Sequence, residues 1–376
     1  MNLTDIEGAR SRVKDFLLPN LAALLDVSDK GIFNPNFERK SAKVESLARS
    51  SLRLTNEIAP LLNEQVELVC ERLKIPRHLV DVYVFPSADL NGFCFVDELP
   101  IIVGLSSSIV KTLTGDELAF VLGHEIGHAL FKETTNFIAN SSCLEDQILA
   151  RSIEISVDRV GLLASGDVDA SFRAILKTLS GLNDSVLRYD FSHFMSEARD
   201  VLDTKITDQL LYSSHPPLAQ RFKALVSFST SDSYLKLINT KGSAGIPIEQ
   251  VNRVISAGLN NSVDTHAYKL INEALSNVLV WVSYVLIASK RTVNLSDLKS
   301  LCEVSISKSD IEKAAIFLDS YTLSEKSSLL NEKITQALVS SATLAPRATD
   351  RLIARLETAY PEIKFNNIES IARLVV

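Results

Sequence analysis

The chain has 376 residues and a formal net charge of −7, with acids and bases interspersed, so no face for nucleic acid or another polyanion is expected. Its four cysteines, Cys70, Cys94, Cys143 and Cys302, show no paired spacing. That excludes a zinc ribbon and a disulfide framework, and it favours reduced thiols and a cytoplasmic location. The length allows two domains with sizeable cores. The start, Met1-Asn2-Leu3-Thr4-Asp5-Ile6-Glu7, has no basic stretch followed by an apolar core, so no signal peptide is expected.

Periodicity and punctuation give the predicted elements in order. Residues 1–27 carry a helical pattern broken at Pro19, and Gly31 to Pro35 reads as a loop. A long helical stretch is expected from Ser41 to Leu73, bent near Pro60. Strands are expected at 80–86, 92–97 and 100–105, forming a small sheet. Helices follow at 115–132, 145–165, 168–182 and 217–228, the first opened by a capping box at Thr114-Gly115-Asp116-Glu117. Ser/Gly-rich stretches between Ser227 and Gly245 mark a boundary. Beyond it, helices are expected at 248–258, 265–289, 296–304, 308–319, 323–341, 347–358 and 366–374, with Asn294, Ser309 and Ser324 as caps. The longest apolar run, Val278 to Ala288, is short of the roughly 18–20 residues a bilayer span needs, so a buried helix and no membrane span are expected.

The expected fold is α+β and mostly helical. A domain with a small β-sheet over the helix at 115–132 precedes an all-α domain. The divisions read as an N-terminal helical segment at 1–40, an α+β domain at 41–235, and a C-terminal helical domain of open role at 245–376.

Chemistry concentrates at His124-Glu125-Ile126-Gly127-His128, an HExxH motif. Histidines at i and i+4 leave the same face of a helix and can reach one metal ion. Glu125 then stands beside that ion, where it can take a proton from a bound water. A tetrahedral site needs a third protein ligand and leaves one position open. Of Glu133, Glu145, Asp146, Glu154 and Asp158, the first faces away on the same helix, and the next two sit at a break near the start of a second helix. Glu154 and Asp158 lie one turn apart inside that second helix, amid Leu149, Ile153, Ile155 and Val157. Acids so placed repel unless they share a cation. The assignment is Glu154 as ligand and Asp158 behind it, holding a ligand histidine by its other ring nitrogen.

His124 to His128, then Glu154-Ile155-Ser156-Val157-Asp158-Arg159-Val160-Gly161, then His215-Pro216-Pro217 ending in Arg221, resemble the HtpX-like and CAAX-prenyl-protease family of gluzincin metallopeptidases, peptidase family M48, as a soluble member. Val82-Tyr83-Val84-Phe85, Asn91-Gly92-Phe93 and Ile101-Ile102-Val103-Gly104-Leu105 match the same family's strand order. The likeness spans Glu45 to Phe228 and implies that 41–235 is a zincin-like catalytic (gluzincin metallopeptidase) domain, with its small β-sheet over the zinc helix. Gly92 and Val157 stand where the family usually has alanine, which puts the shape of the substrate groove in question. The resemblance implies that Asn91, Gly92 and Phe93 lie on an edge strand to which an extended substrate adds by backbone hydrogen bonds. It also implies that His215 and Arg221 approach the metal from the far side, to stabilise an oxyanion or to orient Asp158 or Glu154.

Of the other histidines, His78 reads as a surface residue, His193 as part of a connector and His266 as a lone histidine without ligand-spaced neighbours, and Cys94 reads as a buried strand thiol. The expected activity is zinc-dependent endopeptidase with one Zn2+, acting on protein or peptide substrates. The alternative is an autoinhibited zymogen, or a regulatory protein on a peptidase scaffold, with the C-terminal helices binding a partner or a second copy.

Overall fold

Val80 to Phe85 and Ile101 to Ser106 alternate little and are almost wholly apolar, the pattern of strands covered on both faces. In the computed structural model, which describes residues 3–22, 42–95, 99–131, 143–202, 208–238, 244–260, 263–289, 306–361, 363–372 and 374, they pair in parallel. They are β2 (Val80–Phe85) and β4 (Ile101–Ser106) of a four-stranded sheet of order β1-β2-β4-β3. β1 (Leu52–Arg53) is antiparallel to β2, and β3 (Gly92–Phe95) is an outer strand antiparallel to β4, with Gly92 opposite Leu105 and Phe93 opposite Gly104. The mostly helical α+β class is as the sequence indicates.

The described chain forms two compact units. The first takes Met1–Ala139, Leu149–Lys205 and Ser214–Asn260. It begins with α1 (Leu3–Val13), a 3-10 turn at Lys14–Phe16, α2 (Pro19–Ala22), α3 (Ala42–Ser50) and α4 (Pro60–Leu73). After the sheet come α5 (Ser107–Thr112), α6 (Gly115–Phe131), α7 (Leu144–Ser165) from Leu149 on, α8 (Val168–Ser180), α9 (Phe191–Leu202), α11 (Leu218–Ser229), α12 (Asp232–Leu237) and α13 (Ile248–Asn260), while α10 (Asp208–Leu211), between α9 and α11 in sequence, belongs to the second unit.

The sheet has two differently covered faces. Val80, Val82, Ile101, Val103 and Leu105 join the main core of this unit, with α6 against β3 and β4. Tyr83 and Ile102 instead pack with Val44 and Leu47 of α3, and Phe93 and Phe95 lie against that small cluster. Period-two alternation sends neighbours in a strand to opposite faces, so the two sets cannot mix.

Several expectations are corrected here. The stretch from Ser41 to Leu73 is not one bent helix. It breaks at β1, where Leu54 N donates to Val82 O at 2.8 Å and Arg53 pairs with Asp81 at 2.6 Å. Pro60 is the first residue of α4, where its missing N–H costs nothing, and not a kink inside a longer helix. Of the expected segment 1–40, the described residues Leu3–Ala22 do not stand apart: Ile6, Val13, Phe16 and Leu18 belong to the main core, and buried Arg159 donates to Phe16 O at 2.9 Å. The unit boundary falls after Asn260, since Val251 and Ile255 of α13 also join that core. His193 lies on helix α9 and not on a connector. The expected helix at 296–304, its cap Asn294 and the loop from Gly31 to Pro35 lie outside the described residues.

The second unit takes Asn140–Ile148, Ile206–Ser213 and Asn261–Val376. Its helices are α14 (Val263–Ala288), α15 (Lys308–Asp319), α16 (Leu323–Leu344), α17 (Pro346–Ala359) and α18 (Ile368–Ala372), together with α10 and the first turns of α7. Ser307 with Asp310 and Thr322 with Glu325 form reciprocal capping boxes, so the caps stand two residues before Ser309 and Ser324, while the helices start at Lys308 and Leu323 as expected. Val278, Leu279, Val282, Val285 and Leu286 of α14 fill the core beside Leu330, Ile334 and Leu356. The apolar run at its end is thus part of a 26-residue helix. By length and composition alone this helix is capable of crossing a membrane; half of its most apolar stretch is buried.

Candidate metal and peptidase site

Helix α6 starts where Thr114 ends the preceding loop. Glu117 reaches back to accept from Thr114 N at 3.0 Å and Oγ1 at 3.2 Å, and it also takes Lys177 Nζ at 2.7 Å and Arg173 Nε at 3.1 Å. A buried carboxylate so paired holds the start of α6 to α8. From Glu117 to Phe131 the helix is buried except at its two histidines, which retain part of their surface.

Small residues bring α6 and α7 together. A methyl group at Gly123 would lie 2.3 Å from Cβ of Ala164, one at Gly127 would lie 3.2 Å from Val157, and one at Gly161 would lie 2.9 Å from the Phe120 ring. The contacts run in opposite senses along the two helices, which are therefore antiparallel. Only with side chains this small can the axes approach closely enough for Glu154 on α7 to stand among the histidines of α6. Glycine inside a helix costs about 0.5–1 kcal/mol against alanine, so two in α6 and one in α7 signal a packing need that sequence reading passed over.

The donor atoms converge. His124 Nε2 and His128 Nε2 are 3.3 Å apart. Glu154 Oε2 is 3.6 Å from His124 Nε2, and Glu154 Oε1 is 3.9 Å from His128 Nε2. Donors bonded at roughly 2.0–2.1 Å to one tetrahedral ion stand about 3.3–3.4 Å apart. The spacing found is that of a metal cage slightly open. Glu154 is buried, and its Oε2 has no hydrogen-bond partner. A buried carboxylate oxygen left unpaired is costly unless a cation completes it. Burial pushes the Glu154 carboxyl up, but the neighbouring His124, His215, His128 and Arg221 outweigh it and hold the group below its ordinary value. Among the described residues His124, His128 and Glu154 could hold a metal ion.

Behind the cage stands Asp158, wholly buried. Its Oδ1 lies 2.9 Å from His124 Nδ1, which fixes the ring and turns Nε2 toward Glu154. Arg221, from α11, donates Nε to Oδ2 at 2.8 Å and Nη2 to Oδ1 at 2.6 Å. Burial alone would raise the Asp158 carboxyl; the Arg221 charge, its hydrogen bonds and His124 bring it down to about 2. Of the two roles left open for Arg221, orienting Asp158 is the one its geometry supports. Its guanidinium is nearly buried and spent on that carboxylate.

His215 precedes α11, and its Nε2 lies 3.6 Å from Glu154 Oε2 while Ser214 Oγ meets its Nδ1 at 3.0 Å. Its ring is more than half exposed, so it faces the open side of the cage. Glu125 is buried at the edge of β3: a Cβ built on Gly92 would lie 2.8 Å from its Oε1. Asn91 is exposed, and its backbone is tied to Ser106, with Asn91 O accepting from Ser106 N at 2.9 Å and Asn91 N donating to Ser106 Oγ at 3.2 Å. Phe93 points to the opposite face, where its ring covers Gly104 and meets Phe85 at 5.5 Å. Whatever Phe93 offers a ligand at the metal, its side chain is not part of it.

The remaining candidates lie elsewhere. Glu145 and Asp146 pair with Arg347 and Arg351 of α17 within the second unit. Glu133 lies outside the described residues. His78 is exposed in a 3-10 turn, His193 is exposed on α9, and Cys94 is half-buried on the same face of β3 as Gly92.

No curated protein and no solved structure matches the chain. The profile of peptidase family M48 matches residues 57–229, which contain β2 to β4, α4 to α11 and every residue of the cage and its supports. That part of the chain is therefore a domain of peptidase family M48, a family of metal-dependent peptidases.

Proposed function

We propose that the protein is a zinc endopeptidase in which His124, His128 and Glu154 hold one Zn2+ and Glu125 is the general base. The observation that carries this is the orphaned Oε2 of Glu154, 3.6 Å from His124 Nε2 and 3.6 Å from His215 Nε2, in a cage next to the buried Glu125. Two nitrogens and a carboxylate oxygen are the donor set of catalytic zinc.

A zinc ion bound there would polarise a scissile carbonyl and make a water acidic. The residues do the rest. Glu125 removes the proton from the attacking water and delivers it to the leaving amine nitrogen as the C–N bond breaks. His215 donates from Nε2 to the carbonyl oxygen as negative charge gathers on it, its ring held through Nδ1 by Ser214. Asp158, gripped by Arg221, keeps His124 turned so that Nε2 and not Nδ1 faces the cage. An extended peptide would add to the outer edge of β3 near Asn91 and Gly92, since β3 pairs on one side only, with β4.

The substrates on this reading are proteins or peptides, and the location is the cytosol, where the free thiols of Cys70, Cys94 and Cys143 would persist. The test is metal content with cleavage of a quenched peptide library. One zinc per chain, activity lost to a chelator and regained with zinc, supports the reading. A full complement of zinc in His124→Ala or Glu154→Ala would refute it.

A further inference from the structure

We propose that the N-terminal helices are a standing brace of the metal cage and not a removable cover, with Arg159 as the positioning residue that ties them to the helix carrying Glu154 and Asp158. The inference rests on the metal reading of that cage given above. Four buried hydrogen bonds carry it. Arg10 of α1 donates from Nε to Leu130 O at 2.6 Å, two residues past His128 on α6. Leu18 N donates to Ser156 Oγ at 3.2 Å, between Glu154 and Asp158 on α7. Arg159, the residue after Asp158, donates from Nη1 to Phe16 O at 2.9 Å and from Nη2 to Asn252 Oδ1 of α13 at 2.8 Å. Each bond joins a residue outside the stretch 57–229 to one inside it. The family's part of the chain is thus held by parts that lie beyond the family's match.

The side of α7 that is held argues against a cover. Successive residues turn by about 100° around a helix, so Ser156 points about 200° away from Glu154, and Arg159 about 140° away. The brace therefore grips the back of α7, while the exposed ring of His215 marks the open side of the cage. Arg159 is wholly buried, with its guanidinium 4.9 Å over the Phe228 ring, and among the described residues no carboxylate pairs with it. Burial alone pushes it down to about 9. A buried cation without a counter-charge depends on its hydrogen-bond acceptors. Phe16 O and Asn252 Oδ1 are the acceptors it has, so the N-terminal turn and α13 both fix where α7 stands. The cage is sensitive to that placement. Glu154 stands 3.6 and 3.9 Å from the two histidine nitrogens, and a turn of α7 about its axis would change both gaps.

The experiment uses the full chain with Arg159→Met, Arg159→Lys and Arg10→Met, reading zinc affinity by chelator competition and the visible absorption of the cobalt-loaded protein. Arg159→Met is expected to weaken zinc binding about 10- to 100-fold, the loss that removing an outer support of a ligand gives, and to shift the cobalt bands as Glu154 moves. Arg159→Lys should recover most of the affinity, and Arg10→Met should weaken it in the same sense. If Arg159→Met does not fold, Arg10→Met decides. Zinc affinity and cobalt bands unchanged in every variant that folds overturn the brace and leave the cage standing. A natural chain that binds no metal overturns the cage, and the brace with it. A protease site placed at 31–35 separates brace from cover: cutting the folded chain there should leave zinc, peptide cleavage and the bound N-terminal fragment in place. A rise in peptide cleavage on cutting would mean a cover and would overturn the proposal.

Discussion

Arg221 grips Asp158 through two hydrogen bonds of 2.8 and 2.6 Å, and the oxygen it shares with that grip stands 2.9 Å from Nδ1 of His124. The pair is buried, so neither charge tolerates losing the other. Arg221→Ala should therefore cost about 3–5 kcal/mol of stability. Asp158→Asn should be milder in stability, but it should weaken zinc binding by about 10- to 100-fold, because the ligand histidine loses its orienting acceptor. Denaturant unfolding and zinc competition with a chromogenic chelator measure the two effects. Unchanged zinc affinity in Asp158→Asn would remove Asp158 from the account.

The glycine contacts between α6 and α7 predict a graded series. Gly123→Ala places a methyl 2.3 Å from Ala164 Cβ and should force the helices apart, at a cost of about 1–3 kcal/mol, with zinc affinity lost as Glu154 retreats. Gly127→Ala, with a 3.2 Å contact to Val157, should be tolerated better. Melting temperature and zinc stoichiometry across both variants read the order. A tighter-binding Gly123→Ala would contradict the packing argument.

Cys70 gives a pH dependence of stability. Burial pushes its thiol up to about 11 from an ordinary value near 9.0, against some lowering by Arg77. The folded state thus keeps a proton that the unfolded chain releases. The stability concerned is fully present below pH 9 and is lost as pH rises toward 11, amounting to about 2–3 kcal/mol. The difference between the natural chain and Cys70→Ala, by urea denaturation, should narrow across that window. A difference that stays constant would contradict the burial.

How far the second unit is separable follows from where its chain segments lie. Leu144, Ile148 and Leu211 are core residues of that unit, although they come from segments preceding Glu154 and His215 in the sequence. A chain ending at Asn260 would leave these apolar side chains, and Glu145 and Asp146, without their partners on α14 to α18. Such a truncation should melt the first turns of α7, seen as faster amide exchange at 144–148, and should lower activity. A truncated chain that is as stable as the natural one and more active would mean that the second unit is a removable inhibitory cap.

The gathering of His124, His128 and Glu154 was legible because its pattern is local: HExxH puts two side chains on one face of a helix, and Glu154 with Asp158 repeats the one-turn spacing inside an apolar helix. Sheet strands β2 and β4 were legible from their β-branched runs. What escaped depends on contacts distant in sequence. The two-residue β1 exists because Leu52 and Arg53 find β2, and no local pattern announces it. Pro60 looked like a kink because the same residue suits a helix start. The closeness of Gly92 to Glu125 brings together a strand and a helix 33 positions apart, and neither residue's surroundings in sequence show it. Arg221 carried a cation's promise of oxyanion contact, and only its buried pairing with Asp158 redirected that role.

The most direct measurement compares zinc content and peptide-library cleavage for the natural chain and Glu125→Gln. The account predicts one zinc in each and cleavage in the natural chain alone, with turnover reduced by several orders of magnitude in the variant. Full cleavage by Glu125→Gln, or a natural chain that binds no zinc, would contradict it.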